Sequence, residues 1–247
     1  MNSGMPVDRR FFLGSLSVGF FRVPGLFPTG HETLCGINFE ILRYAWRTPR
    51  RYLFIHGDEP TAHDILTSYM YDHDGVAYLV KGTGRDVEIN GLKIDPNRLF
   101  SRAGAERSLR GENPAVDPVR MTEVLDLLDR QREKLVRALT PGPGSRLIAL
   151  HNNRDYSVKD EVAQSNESSL RQMDRPGDFI LCTSPTDYAI LKQSPYNVVL
   201  QSSPDPDDGS LSRLAARRGF RYLNVECAVG DYEAQQERLR WIDDRLP

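Results

Sequence analysis

This sequence has few cysteines, a net charge close to zero and no long apolar run, and each of these features excludes a class of protein. Three cysteines among 247 residues cannot close a disulfide framework, and none of them forms the CxxC pair of a structural zinc knot. A formal charge of -2 provides no broad cationic face, so we expect neither nucleic acid nor anionic lipid as a partner. We expect Cys35, Cys182 and Cys227 to be buried thiols, with a bridge between Cys182 and Cys227 as the alternative.

The N-terminal segment resembles an export signal rather than part of the fold. Asp8-Arg9-Arg10-Phe11-Phe12-Leu13 is followed by an apolar run over 14–21, the order found in twin-arginine signals. This run is far shorter than the ~20 residues that span a bilayer, so we expect no transmembrane anchor. We therefore predict a signal over 1–25, a single domain over 26–247 and an exported, periplasmic protein. The alternative is an amphipathic N-terminal segment on a cytoplasmic protein.

Short apolar runs alternate with helical patterns from residue 50 onward, which predicts an α/β fold. Apolar runs bounded by turn residues predict strands at 51–55, 76–80, 146–150, 179–182, 197–200 and 221–227. Amphipathic periodicity predicts helices at about 60–71, at 117–139, after Ser184-Pro185, from about Ser210 to Gly219, and from Tyr232. Ligands of such sheets collect at the carboxyl ends of the strands, where His56, His151 and Glu226 are predicted to fall.

Three of these residues have the chemistry of a catalytic zinc site, which takes about three His or carboxylate ligands and an open position. His56 and Glu59 lie three positions apart across a predicted turn, and Gly57 lets the backbone bend between them. His151 directly follows a buried strand, where its ring nitrogens need partners. The alternatives are a capped helix start at 56–59 and a core histidine at 151 that binds backbone. We interpret the other histidines as structural or solvated, with His31 in an irregular region, His63 in a helix and His73 in a polar turn.

The segment Asp95-Pro96-Asn97-Arg98-Leu99-Phe100 contains a candidate anion site. Arg98 offers a planar fork that matches the two oxygens of a carboxylate, and Asn97 adds a donor. The alternative is a surface turn with an ordinary arginine. Tyr156, soon after His151, could place a phenol over a substrate, although packing would equally explain it.

Together these motifs resemble the zinc carboxypeptidase superfamily, and especially its succinylglutamate desuccinylase and aspartoacylase branch. Phe54-Ile55-His56-Gly57-Asp58-Glu59-Pro60 is similar to its His-Gly-x-Glu-Pro motif, Asp95 to Phe100 to its Asp-x-Asn-Arg-x-Phe motif, and Asn224-Val225-Glu226 to its catalytic strand. The resemblance implies a mixed, largely parallel β-sheet flanked by helices.

The same resemblance implies a role for each candidate residue. His56, Glu59 and His151 would hold one Zn²⁺, Asn97 and Arg98 would grip a substrate carboxylate, and Glu226 would act as general acid and base. Either Arg85 or Arg102 would polarise the scissile carbonyl. Ala149 departs from the pattern, because an aspartate commonly stands two positions before the third zinc ligand.

We therefore expect a zinc-dependent hydrolase that cleaves an amide or peptide bond next to a free carboxylate, of the carboxypeptidase or deacylase type. The expected substrate is a small peptide or an N-acyl amino acid, and a cell-wall peptide if the protein is exported. A zinc-retaining but inactive binding module of the same fold is the alternative. Similar ligand sets can also hold iron or manganese.

Overall fold

The structure is a computed structural model that describes residues 30–44 and 49–247. The predicted export signal over 1–25 lies outside the described residues. Among the described residues, no helix combines the length and the apolar character needed to cross a bilayer.

Within the described part of the chain, nine strands form one mixed sheet in the order β1-β2-β4-β3-β7-β11-β9-β10-β8. The strands of this sheet are β1 (Gly30–Leu34), β2 (Ile37–Tyr44), β3 (Arg51–Phe54), β4 (Gly75–Val80), β7 (Arg146–Asn153), β8 (Glu167–Ser169), β9 (Phe179–Cys182), β10 (Asn197–Leu200) and β11 (Arg221–Ala228). A separate hairpin pairs β5 (Val87–Ile89) with β6 (Leu92–Ile94). The α/β class and the mixed, largely parallel sheet predicted from the sequence are confirmed.

Seven helices flank the sheet among the described residues, and local chemistry explains most of their limits. They are α1 (Pro60–Tyr69), α2 (Arg102–Glu112), α3 (Pro118–Leu139), α4 (Val158–Val162), α5 (Pro185–Leu191), α6 (Leu211–Arg218) and α7 (Tyr232–Arg245). Asp117 caps α3 by accepting from the Arg120 amide, and Ser210 caps α6 in the same way. Gly219 ends α6 in the left-handed conformation, with a φ of 71°.

The four strands β4, β3, β7 and β11 run parallel at the centre of the sheet. Their apolar runs are buried on both faces, as parallel strands covered by helices require. Because they are parallel, their carboxyl ends meet at one edge, which is where β3 leads into His56 and where β7 carries His151. This edge positions the candidate site.

The predicted strands and helices are found within a few residues of their expected limits, but the hairpin of β1 and β2 was not predicted. It turns through Cys35 and Gly36, both with positive φ (54° and 79°), instead of the Asn-Gly or Asp-Gly pair that usually marks such a turn. The expectation that His31 lies in an irregular region is wrong, because it lies in β1.

The expectation that the three cysteines are buried thiols is confirmed. Cys35, Cys182 and Cys227 are free and buried, so the alternative of a bridge between Cys182 and Cys227 is wrong. Burial raises the pKa of the Cys35 thiol to about 11, as expected of an inert core cysteine.

Candidate metal centre and active site

The turn after β3 places His56 and Glu59 side by side. Both side chains are buried, and the Glu59 amide donates to the His56 carbonyl at 3.3 Å. The Gly57 amide donates to the Gly84 carbonyl at 2.9 Å, and a Cβ on Gly57 would lie 2.4 Å from the Gly82 carbonyl oxygen. Glycine is therefore needed at position 57 because another segment of backbone lies directly against it, rather than only to let the chain bend.

His151 completes a group of three buried ligand atoms. Its Nδ1 lies 3.2 Å from His56 Nδ1 and 3.2 Å from Glu59 Oε2, and His56 Nδ1 lies 2.9 Å from Glu59 Oε1. The ligand atoms of the three residues all lie within 4.8 Å of one another. This placement is consistent with the prediction from the sequence that His56, Glu59 and His151 lie together.

The donor set fits a divalent ion. Ligands that bind zinc at about 2.0–2.2 Å in a tetrahedral arrangement stand roughly 3.4 Å apart, which is close to the separations found here. Glu59 Oε2 is buried and has no hydrogen-bond partner, although it lies near His151 Nδ1. A buried carboxylate oxygen without a donor is costly, and a cation between the three side chains would remove that cost.

Electrostatics at the site also favour a cation. Burial opposes ionisation of Glu59, but His151 and His56 outweigh it and lower the pKa of Glu59 to about 2. Burial likewise opposes the charged form of His56, yet hydrogen bonds to Asp95 and Glu59 raise its pKa to about 9. The carboxylates of Glu59 and Asp95 therefore stabilise positive charge at this centre.

Asp95 is a further residue of the candidate site, and the sequence analysis gave it no role of its own. Its Oδ1 lies 3.0 Å from His56 Nε2, the ring nitrogen that faces away from the other ligands. The same oxygen accepts from the Asn97 amide at 2.7 Å. Burial raises the pKa of Asp95, but the His56 hydrogen bond reverses this and leaves the pKa well below its usual range. A carboxylate on the outer nitrogen of a metal-binding histidine fixes the ring and its tautomer.

Asn97 and Arg98, the residues of the predicted anion site, lie in a short 3-10 turn, Pro96–Arg98. Asn97 Oδ1 accepts from the Leu211 amide at 3.1 Å, which leaves the donor end of the amide to offer a ligand. The Arg98 Nη1 donates to the Asn97 carbonyl at 3.1 Å, and both side chains line the same cavity as the three candidate metal ligands.

Of the two arginines considered for polarising a carbonyl, only Arg85 lies at the site. Its Nη1 lies 3.5 Å from Glu59 Oε1 and its Nη2 lies 3.8 Å from Asp95 Oδ2, and about half of its side chain is exposed. Arg102 begins α2 and pairs with Asp126 and Asp129 of α3. The Arg102 alternative is therefore wrong, because α3 draws that guanidinium away from the cavity.

Glu226 lies beside the candidate metal ligands on the neighbouring parallel strand, as the register partner of His151. It is buried, its Oε1 accepts from Asn224 Nδ2 at 3.1 Å, and its Oε2 accepts from Asn153 Nδ2 at 3.1 Å. Each oxygen keeps acceptor capacity for a further proton donor. The two asparagines were not predicted as site residues, although both flank a predicted one in the sequence.

The predicted site residues share one cavity of about 490 Å³. It is lined by His56, Glu59, Arg85, Asn97, Arg98, His151 and Glu226. Tyr156 also lines this cavity, and its hydroxyl donates to Glu161 Oε1, a residue not considered from the sequence. Ala149 is fully buried and pairs with Asn224 of β11. Neither residue has a carboxylate, so this pair does not supply the aspartate expected two positions before His151.

Comparison with known proteins gives structural neighbours but no family. No family model and no curated protein matches the chain. A candidate metallopeptidase from Shewanella denitrificans is 12% identical, with a TM-score of 0.46 and coverage of 89% of this chain and 85% of that chain. A candidate metallopeptidase from Shewanella baltica is 11% identical, with a TM-score of 0.42 and coverage of 84% and 81%.

A further structural neighbour belongs to the branch expected from the motifs. It is a candidate succinylglutamate desuccinylase/aspartoacylase family protein from Shewanella amazonensis, 11% identical, with a TM-score of 0.37 and coverage of 84% of this chain and 67% of that chain. At these identities and TM-scores, the likeness transfers no residue roles. The chemistry of the site follows from the geometry of this chain.

Proposed function

We propose that the protein is a zinc-dependent hydrolase that cleaves an amide or peptide bond next to a free carboxylate. The observation that carries this proposal is the buried His56, Glu59 and His151 group, in which Glu59 Oε2 has no hydrogen-bond partner. The same cavity holds a buried glutamate and an arginine, Glu226 and Arg98. A structural core would have no need to bring these charges together.

The proposed chemistry divides between the metal and the chain. A bound Zn²⁺ would polarise the scissile carbonyl and lower the pKa of water toward ~7. Glu226, held by Asn153 and Asn224, accepts a proton from the attacking water and returns it to the leaving nitrogen as the carbon-nitrogen bond breaks. The products are a carboxylic acid and an amine, so atoms and charge balance.

Substrate orientation falls to the cationic and donor groups of the same cavity. Arg98 and the donor end of Asn97 bind the free carboxylate, which fixes the adjacent amide relative to the metal ligands. Arg85, beside Glu59, supplies positive charge where the carbonyl oxygen becomes negative.

Substrate size and compartment complete the proposal. The cavity suits an N-acyl amino acid or a short peptide. If residues 1–25 act as an export signal, the protein works in the periplasm, where a cell-wall peptide is an available substrate.

The test combines metal content with turnover. Purified wild-type protein should contain about one zinc per chain, His56→Ala should lose it, and Glu226→Gln should keep it while hydrolysis of N-acyl amino acids falls about 10²–10⁴-fold. The same change at an exposed glutamate of α3, Glu123→Gln, is the matched control and should leave both unchanged.

Each contrary outcome has a distinct meaning. Wild-type protein without stoichiometric metal would overturn the metal centre, and iron or manganese in place of zinc would correct its identity. Stoichiometric zinc without hydrolysis of any acyl amino acid or short peptide would favour the inactive binding module.

A further inference from the structure

Asn152 lies between the two chain segments that carry the candidate metal ligands. The ladder between β3 and β7 ends at the pair of Leu53 and Ala149. His56 and His151 both lie beyond that last pair, so the pairing of their own strands does not directly set the distance between them. Contacts beyond the ladder therefore hold these two segments in place.

The first turn of α1 receives its cap from Asn152 and not from its own N-terminal residue. Glu59 is the N-cap of α1, but its side chain makes no capping hydrogen bond, since its carboxylate lies against His56 and His151. An uncapped helix start leaves backbone amides without acceptors. Asn152 Oδ1 accepts from the Ala62 amide at 2.6 Å. The roles of metal ligand and helix cap are thus divided between two residues.

Gln235, in the first turn of α7, fixes the orientation of the Asn152 amide. It is fully buried, and its Oε1 accepts from Asn152 Nδ2 at 3.2 Å. Its Nε2 donates to the carbonyls of His151 and Val225 at 3.0 and 3.2 Å. The backbone amide at one end of this chain of hydrogen bonds can only donate, and the carbonyls at the other end can only accept. Neither side-chain amide can therefore be turned over.

This chain of hydrogen bonds reaches the backbone beside three of the proposed functional side chains. It ends at an amide in the turn after Glu59, at the carbonyl of His151 itself and at the carbonyl directly before Glu226. Asn152 is only 5% exposed and Gln235 is fully buried, so water does not readily replace these hydrogen bonds. A shift of α1 relative to β7 would have to break them.

Resting on the proposed function, we infer that Asn152, oriented by Gln235, is a positioning residue that holds Glu59 and His151 at the separation a metal ion requires. Its hydrogen bonds go to backbone groups and to the Gln235 side chain, so it acts through the position of the backbone. An ordinary helix cap stabilises the fold without changing the metal affinity of the folded protein. If losing the cap leaves the two segments aligned for about a tenth of the time, the apparent zinc affinity falls about tenfold.

The test is the zinc affinity of the folded protein, measured against a chromophoric chelator, with urea unfolding of the metal-free protein measured in parallel. Asn152→Ala should weaken zinc binding about tenfold or more. The matched control is Ser184→Ala, which removes the cap of α5, where the Ser184 side chain accepts from the Asp187 amide. Because β9 is antiparallel to β11, α5 begins at the opposite edge of the sheet. This control should be less stable but should bind zinc like the wild type.

Two further variants separate positioning from general damage. Asn152→Asp keeps an oxygen for the Ala62 amide and is the rescue variant. Co²⁺ bound in place of Zn²⁺ absorbs visible light with a band shape that depends on the arrangement of its ligands. Asn152→Ala should change this band shape, and Asn152→Asp should restore it. Gln235→Met has a side chain of similar length without the amide, and it should also weaken zinc binding.

The contrary outcomes are distinct. Wild-type zinc affinity in a folded Asn152→Ala, or in Gln235→Met where Asn152→Ala does not fold, overturns the inference. An equal loss of affinity in Ser184→Ala overturns it too, as does an Asn152→Asp spectrum that matches Asn152→Ala. Wild-type protein that binds zinc but hydrolyses no acyl amino acid or short peptide removes the proposed hydrolase and leaves the positioning role standing. Wild-type protein that binds no divalent metal overturns both.

Discussion

From the contact between Asp95 and His56 we predict how the zinc affinity of an Asp95 variant changes with pH. The carboxylate lies 3.0 Å from the outer nitrogen of the histidine, where it both strengthens the ring as a metal ligand and stabilises its protonated form. The raised pKa of His56, about 9, means that removing its proton at pH 7 costs about 3 kcal/mol before a metal can bind. Asp95→Asn removes both effects, and it keeps an acceptor for the Asn97 amide.

The two effects separate as the pH changes. At pH 9, near the pKa of His56, about half of the protein has already lost this proton and displacing it costs little, so Asp95→Asn should show most of the loss of ligand strength, about 10–100-fold in zinc affinity. At pH 7 the lower pKa of His56 in the variant relieves proton competition, so the loss should be clearly smaller. Zinc dissociation constants measured against a chromophoric chelator at pH 7, 8 and 9 test this, with Asp58→Asn, an exposed carboxylate between the two ligands, as the control. A variant-to-wild-type ratio that stays near one, or that falls as the pH rises, would refute the reasoning.

Three further predictions concern the same site. Gly57→Ala should lower the free energy of unfolding by about 1–3 kcal/mol in denaturant, because the added Cβ would lie 2.4 Å from the Gly82 carbonyl oxygen. The control is Gly111→Ala, where the added Cβ meets open space, and this variant should not be destabilised. Arg98→Ala should raise the KM for N-acyl amino acids about 10–100-fold, because the substrate carboxylate loses its partner. The corresponding C-terminal amides lack that carboxylate, so their slower hydrolysis should be unchanged, and an equal effect on both substrates would contradict the assignment. Zinc at a hundred times its dissociation constant should raise the Tm by about 5–10 °C in wild type, and a comparable rise in His151→Ala would place the ion elsewhere.

The predictions that succeeded were those in which a short stretch of sequence carries its own physical reason. The apolar run before His56 and the run that carries His151 read as buried strands because each is continuous and bounded by glycine or proline. His56 and Glu59 lie three residues apart, so a tight turn was enough to bring them together. The edge hairpin of β1 and β2 was missed because Gly36 follows Cys35 and not the asparagine or aspartate that usually marks such a turn.

The sequence by itself determined the α/β class, the set of side chains capable of holding a metal and the strand ends on which they stand, because these depend on local periodicity and residue chemistry. Only the tertiary structure decided that Asp95, rather than a residue at position 149, places a carboxylate against His56, and that Arg85 rather than Arg102 lies beside Glu59. These facts join residues tens of positions apart, and strand register and helix packing set those distances, which no local pattern encodes.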